Sequence, residues 1–285
     1  MALEKPLDYL VKRLWCELRP HRVLEAIRYA LVRPKTDQRF FVVSAERNAG
    51  HNAIRCLESV YRQRYDRARV RHLFTDDASD DQTPRLIEGW LAAHPDHCVQ
   101  FIRNEESKGA GWNSLRAVRM APPGWIVVEL DGDDWLPDPR VLAFLNKVYA
   151  DPGVWMTYNT GMRYKNGRYR RPSAKWRPFP REVLESAGVR RHPHDSLGPL
   201  RTFRSELLRH FRDESMLDPD TGEFFRARDK ALYFPLIELA GTHARHIYRV
   251  TYVYDISQRH KVTEVELASA QKVRSLQPYQ PLESL

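Results

Sequence analysis

Cysteine is scarce in this chain. Cys16, Cys56 and Cys98 lie far apart and form no C-x-x-C pair. An odd, scattered set argues against a disulfide framework or a thiolate zinc site and points to a reducing compartment. Long apolar runs are missing too: no stretch approaches ~18 consecutive apolar residues, so no membrane-spanning helix is expected. The N-terminus lacks the uncharged apolar stretch of a secretory signal. Internal repeats and low-complexity segments are also absent. The expected location is cytoplasmic, either in solution or peripheral to the inner face of the membrane.

What is present is an ordinary folding composition with an unbalanced charge. The 285 residues are 42% hydrophobic and 29% charged, enough for one large α/β domain with appendages. Formal net charge is +9, mostly from arginine. That balance favours an anionic partner: a nucleotide, a phosphorylated lipid or membrane surface, or nucleic acid.

Residues 1–36 read as an N-terminal amphipathic helical segment. Leu7, Leu10, Val11, Leu14, Trp15 and Leu18 make one apolar stripe, Pro20 breaks it, and a second helix follows from His21 to Val32. Such a basic amphipathic segment either packs on its own domain or lies on an anionic membrane surface. From residue 39 strands and helices alternate. RFFVVSAE, VRHLFTDD, VQFIRNE and WIVVELDGDD read as strands separated by three helices. Successive βα units imply a parallel sheet covered on both faces. Farther on, VWMTYNTGMRY reads as a strand with a tight turn at Asn166-Gly167, and a helix is expected around Ser205 to Phe211. RDKALYFPLIELAG reads as a helix interrupted by Pro235, HIYRVTYVYDI as a strand, and residues 261–285 as a helix and tail.

Two of these strands run into carboxylates. IVVELDGDDWL ends in Asp131, Asp133 and Asp134, and VRHLFTDD ends in Asp76 and Asp77. In a parallel sheet both turns open at the carboxyl edge, where open α/β folds bind ligands. Oxygen ligands at D-x-D spacing suit Mg²⁺ or Mn²⁺ held together with substrate phosphates. Acidic residues there also accept hydrogen bonds from a nucleobase or ribose. The bland alternative is helix capping, by Ser79 or Asp80 after the second strand. At the third strand's exit, NEESKGAGWN offers Lys108, Gly109 and Asn113 beside a helix N-terminus that favours phosphate.

Taken together, CLESVYRQRY, TDDASDDQT, NEESKGAGWNSLRAV and LDGDDWL resemble, in order and spacing, the family 2 glycosyltransferases of the GT-A fold over residues 39–160. A fainter resemblance resumes at ARDKALYFPLIELAG and at the strand ending Tyr254. It implies an α/β GT-A-type fold: a mostly parallel sheet flanked by helices, with an N-terminal helical extension and a C-terminal helical tail. It divides the chain into a nucleotide-sugar-binding half over 37–160 and an acceptor-binding half over 161–260. The implied roles are nucleobase contact for Asp77 with Asp76, ribose or metal contact for Asp131, and divalent-cation binding for Asp133. Asp229 would be the general base of an inverting transfer, although it could instead cap its helix or pair with Arg228. The pattern departs from the family in two places. Ala45-Glu46-Arg47-Asn48 replaces Pro-x-Tyr-Asn, leaving Ser44 and Glu46 as donor contacts, and Arg228-Asp229 replaces Glu-Asp.

The implied activity is metal-dependent transfer from a nucleotide sugar, a UDP-sugar by expectation, to a hydroxyl acceptor. A glycan or lipid-linked glycan of a cell-surface polysaccharide or lipopolysaccharide pathway is the implied acceptor. Other readings stay open at this stage. A haloacid-dehalogenase-type phosphatase also uses D-x-D, and a nucleotidyltransferase could use a related sheet. A nucleic-acid-binding or nucleic-acid-glycosylating protein would use the basic aromatic stretch from Arg163 to Arg181. His260, after the last strand, could reach metal or diphosphate, although a solvated surface role suits it better.

Overall fold

A computed structural model describes residues 20–173, 176–193, 197–257 and 262–285. Helix α1 (Pro20–Ala30) starts at Pro20, a residue tolerated in a first helical turn where its missing N–H is not needed. The apolar stripe expected over residues 7–18 lies outside the described residues, as does His260. One face of α1 is docked: the Glu25 carboxylate accepts from the backbone N–H groups of Tyr248 and Arg249. The opposite face leaves Val23, Leu24 and Ile27 exposed.

The βα alternation is present throughout the first half. β1 (Phe40–Glu46) leads to α2 (His51–Tyr61), β2 (Val70–Asp76) to α3 (Thr83–Ala93), β3 (Val99–Arg103) to α4 (Ala110–Arg119), and β4 (Ile126–Glu129) to α5 (Val141–Tyr149). These four strands are parallel in the order β3-β2-β1-β4. Alternation along β1 divides the core. Phe40 and Val42 pack with Leu57 of α2, Ile87 of α3 and Leu145 of α5, whereas Phe41 and Val43 pack with Val118 of α4 and with later helices. A strand buried on both faces is apolar on both, which is why Phe40 to Val43 read as an unbroken apolar run.

The second half adds antiparallel strands. β5 (Met156–Lys165) and β6 (Arg168–Arg170) form a hairpin through Asn166 (φ 46°) and Gly167 (φ 82°), the turn expected there. β7 (Thr202–Arg204) lies between β4 and β5 and is antiparallel to both. It precedes only a short 3-10 turn, Ser205–Arg209, where a helix was expected. Three residues carry no periodicity, so this strand was invisible in the sequence. β8 (Ala244–Asp255) pairs parallel to β5 and completes eight strands among the described residues.

Three helices complete the described chain: α6 (Arg181–Glu185), α7 (Arg228–Ala240) and α8 (Glu264–Ser275). Pro235 does not interrupt α7. Every residue from Ala231 to Ala240 is buried, so packing on all sides holds the helix across the one hydrogen bond that proline removes.

Candidate functional site

The sheet register brings the acidic turns to one edge. Glu46 of β1 pairs with Asp76 of β2, and Asp76 with Arg103 of β3. Just beyond, Asp77 N–H donates to Glu46 O and Leu130 N–H to Val43 O, so both turns leave the sheet in the same direction.

The turn after β2 is a clasp. Asp77 Oδ1 accepts from Asn104 Nδ2 (2.8 Å) and Lys108 N (2.8 Å), and Oδ2 accepts from Ser107 Oγ (2.8 Å) and Gly109 N (3.0 Å). Burial opposes ionisation of this carboxyl, but these donors outweigh it and hold its pKa down to about 2. Asn113 tightens the loop, accepting from Asn104 and donating to Gly109 O. Asp76, expected with Asp77 at the nucleobase, is instead fully buried, where it accepts from the Ser79 backbone N–H and hydroxyl and braces the turn from inside. Lys108 sends its ammonium outward to Glu106.

The turn after β4 has the opposite character. Gly132 is required because a Cβ there would lie 2.7 Å from Glu46 Cβ. Asp134, the third carboxylate of LDGDD, is fully buried and accepts from Tyr252 Oη (2.6 Å) and Asp255 N (2.6 Å), so it anchors the turn to β8. Asp131 and Asp133 remain at the rim. Burial, with Asp131 and Asp255 nearby, pushes the Asp133 carboxyl up to about 7. Burial and Asp133 push Glu46 up to about 8. Ionising these carboxyls together is therefore unfavourable unless a cation joins them.

Behind them runs a chain of alternating charges. Arg201 Nη1 donates to Glu129 Oε2 (2.7 Å) and its Nη2 to Asp229 Oδ2 (3.3 Å). Arg228 Nη1 donates to Ser114 Oγ (2.7 Å) and its Nη2 to Asp131 Oδ1 (2.8 Å). Asp229, in the first turn of α7, is 49% exposed. Burial alone would raise its carboxyl, but Arg201 and Arg228 outweigh it and hold the group below the ordinary carboxylate range.

The structure therefore brings Glu46, Asp77, Lys108, Gly109, Asn113, Asp131, Asp133 and Asp229 to one side of the sheet. Ser44 is not with them. Its side chain points into the core, where Oγ lies 2.9 Å from His72 Nε2.

The family model "Glycosyl transferase family 2" matches residues 41–212. The chain belongs to glycosyl transferase family 2. Solved structures share its GT-A fold. The mannosyltransferase PcManGT from Pyrobaculum calidifontis, in complex with GDP-Man and Mn²⁺, superposes with a TM-score of 0.54 at 23% identity. The match covers 88% of this chain and 66% of that one. TarS 1–349 of S. aureus, in complex with UDP-GlcNAc, gives 0.57 at 16% identity, over 80% of this chain and 60% of that one. The chain thus spans less than two thirds of either neighbour's length. A search of curated protein sequences found no match.

Several site residues escaped the sequence reading. Glu129 had a signal, since a carboxylate inside the apolar run IVVEL must find a partner. Arg201 and Tyr252 had none, because only the fold carries them to β4. Of the basic stretch, Arg163, Lys165, Arg168 and Arg170 lie on the β5–β6 hairpin, Arg181 pairs with Glu185 on α6, and Lys175 lies outside the described residues. Among the described residues no helix is long and apolar enough to cross a membrane.

Among the described residues no three His, Cys, Asp or Glu side chains form a ready-made metal cage. That is compatible with Mg²⁺ or Mn²⁺, which usually take one or two carboxylates and complete their shells with water and substrate phosphates. The surplus of carboxylate oxygens at Asp131, Asp133 and Glu46 fits such a cation.

Proposed function

We propose that this family 2 transferase moves a sugar from a nucleotide sugar, in our reading a UDP-sugar, to an acceptor hydroxyl with inversion. The observation that carries the reading is the convergence of a rigid loop held by Asp77, the carboxylates of Asp131 and Asp133, and the half-exposed Asp229 on one edge of the sheet.

In this reading the loop from Asn104 to Gly109, clasped by Asp77, forms the wall against which the nucleoside rests. The backbone at the start of α4 faces the phosphates. Asp131 and Asp133 would hold a divalent cation, which supplies Lewis-acid neutralisation of charge on the departing diphosphate. Asp229 is ionised at neutral pH and accepts the acceptor's proton as the new C–O bond forms. The bond from the anomeric carbon to the diphosphate oxygen breaks on the opposite side. Proton removal of this kind contributes ~10²–10⁴-fold to rate. We assign residues 161–260 to the acceptor, a glycan or lipid-linked glycan. The basic hairpin and α1 suit a location against an anionic membrane surface.

A thermal-shift panel of UDP- and GDP-sugars, with and without Mn²⁺, tests the donor. A ligand at ~100 times its Kd adds ~2.7 kcal/mol, an easily measured rise in Tm. A panel in which no nucleotide sugar shifts Tm rejects the donor assignment, and shifts that are the same with and without Mn²⁺ reject the cation.

A further inference from the structure

Arg228 stands where the family pattern has an acid, a change from negative to positive charge at the edge of the site. Its guanidinium holds the first D-x-D carboxylate, with Nη2 to Asp131 Oδ1 at 2.8 Å. The two arginines of the charge chain are not equivalent. Arg201 is 7% exposed, bonded to Glu129 at 2.7 Å, and lies over the Tyr233 ring with 4.5 Å to its centroid. Arg228 is 22% exposed, and its approaches to Glu129 (3.5 Å) and Asp229 (3.6 Å) are longer. It can therefore leave without stranding Glu129, which keeps Arg201. Asp131 and the Ser114 hydroxyl would lose its hydrogen bonds, Asp131 keeping that from Tyr252, and a cation at Asp131 restores the charge balance. A guanidinium released at this position carries a planar fork that matches phosphate oxygens.

Resting on the donor reading above, we propose that Arg228 is a resident cation of this site. It occupies Asp131 in the free protein, competes with the divalent cation for that carboxylate, and transfers its hydrogen bonds to the donor's diphosphate when both ligands arrive. Cation and nucleotide then bind cooperatively, each strengthening the other by the same factor.

Mn²⁺ titrations followed by the electron paramagnetic resonance of the free ion test this, using UDP and GDP as nucleotide probes. Mn²⁺ alone binds the wild-type protein weakly, and a saturating nucleoside diphosphate tightens it at least about tenfold. In Arg228→Gln, Mn²⁺ alone binds about tenfold more tightly than in the wild type. Affinity for the nucleoside diphosphate, read by calorimetry, drops about tenfold. Arg228→Lys keeps the charge but loses the fork, gives intermediate values, and carries the comparison if the Gln variant does not fold. Equal or weaker binding of Mn²⁺ alone in a folded variant overturns the proposal. Failure of the donor reading looks different: neither UDP nor GDP binds any form, while the Mn²⁺ affinities still separate.

Discussion

The two acidic turns at the edge of the sheet are built from the same residue type to opposite ends. The turn after β2 surrounds Asp77 with neutral donors, four in all, so its charge is compensated by hydrogen bonds and its carboxyl titrates far below neutrality. The turn after β4 buries Asp133 beside other carboxylates and raises its pKa instead. A compensated carboxylate organises a loop; an uncompensated one attracts a cation. The difference lies in the neighbours rather than in the motif.

The strongest way to break this comparison is to remove the charge support behind the second turn. Arg201→Ala leaves Glu129 buried beside a lost partner and should lower stability by about 3–5 kcal/mol, as a denaturant midpoint would show. An unchanged midpoint would mean that Arg228 alone suffices for Glu129. Asp133→Ala removes a crowded charge instead. Transfer and donor hydrolysis should fall by roughly 10²–10³-fold, from several kcal/mol of lost charge stabilisation, without a drop in Tm. Full activity in this folded variant would reject Asp133 as a cation ligand.

Asp77→Asn probes the clasp. Its folded pKa is depressed, so its contribution is present above the unfolded value near 4 and is lost as pH falls toward 2. The variant should be less stable than the wild type by about 2 kcal/mol at neutral pH. The two stability curves should converge as the pH drops below 4; parallel curves down to pH 2 would refute the clasp. The mildest test is Ser107→Ala, which deletes one of the four donors and should cost about 1 kcal/mol. A loss as large as that of Asp77→Asn would show that the donors act together rather than singly.

Legibility from sequence followed the length of the pattern. The strands RFFVVSA and VRHLFTD and the helices between them could be read because five to ten residues of consistent periodicity outweigh local noise. The three-residue β7 offered no such pattern, and Pro235 spoke against a helix that burial preserves. At the site, residues on strand ends were readable because β-sheet topology alone places them. Asp77 and Asp131 are of this kind. The Ser44 side chain lies on the face of β1 shared with Phe40 and Val42, where Cys56 of α2 and His72 of β2 receive it, so a strand position next to the site is not by itself a side chain in the site.

The sequence by itself determined the parallel half-sheet, the order of its strands' acidic exits and the family. These follow from periodicity and from short-range chemistry that every copy of the pattern shares. Tertiary structure alone decided which carboxylates are compensated. Arg201, Arg228 and Tyr252 come from segments about 70 to 120 residues away from β4 and its turn. A charge's partner in space leaves no periodic trace along the chain, and the electrostatic balance of a site is set by those partners.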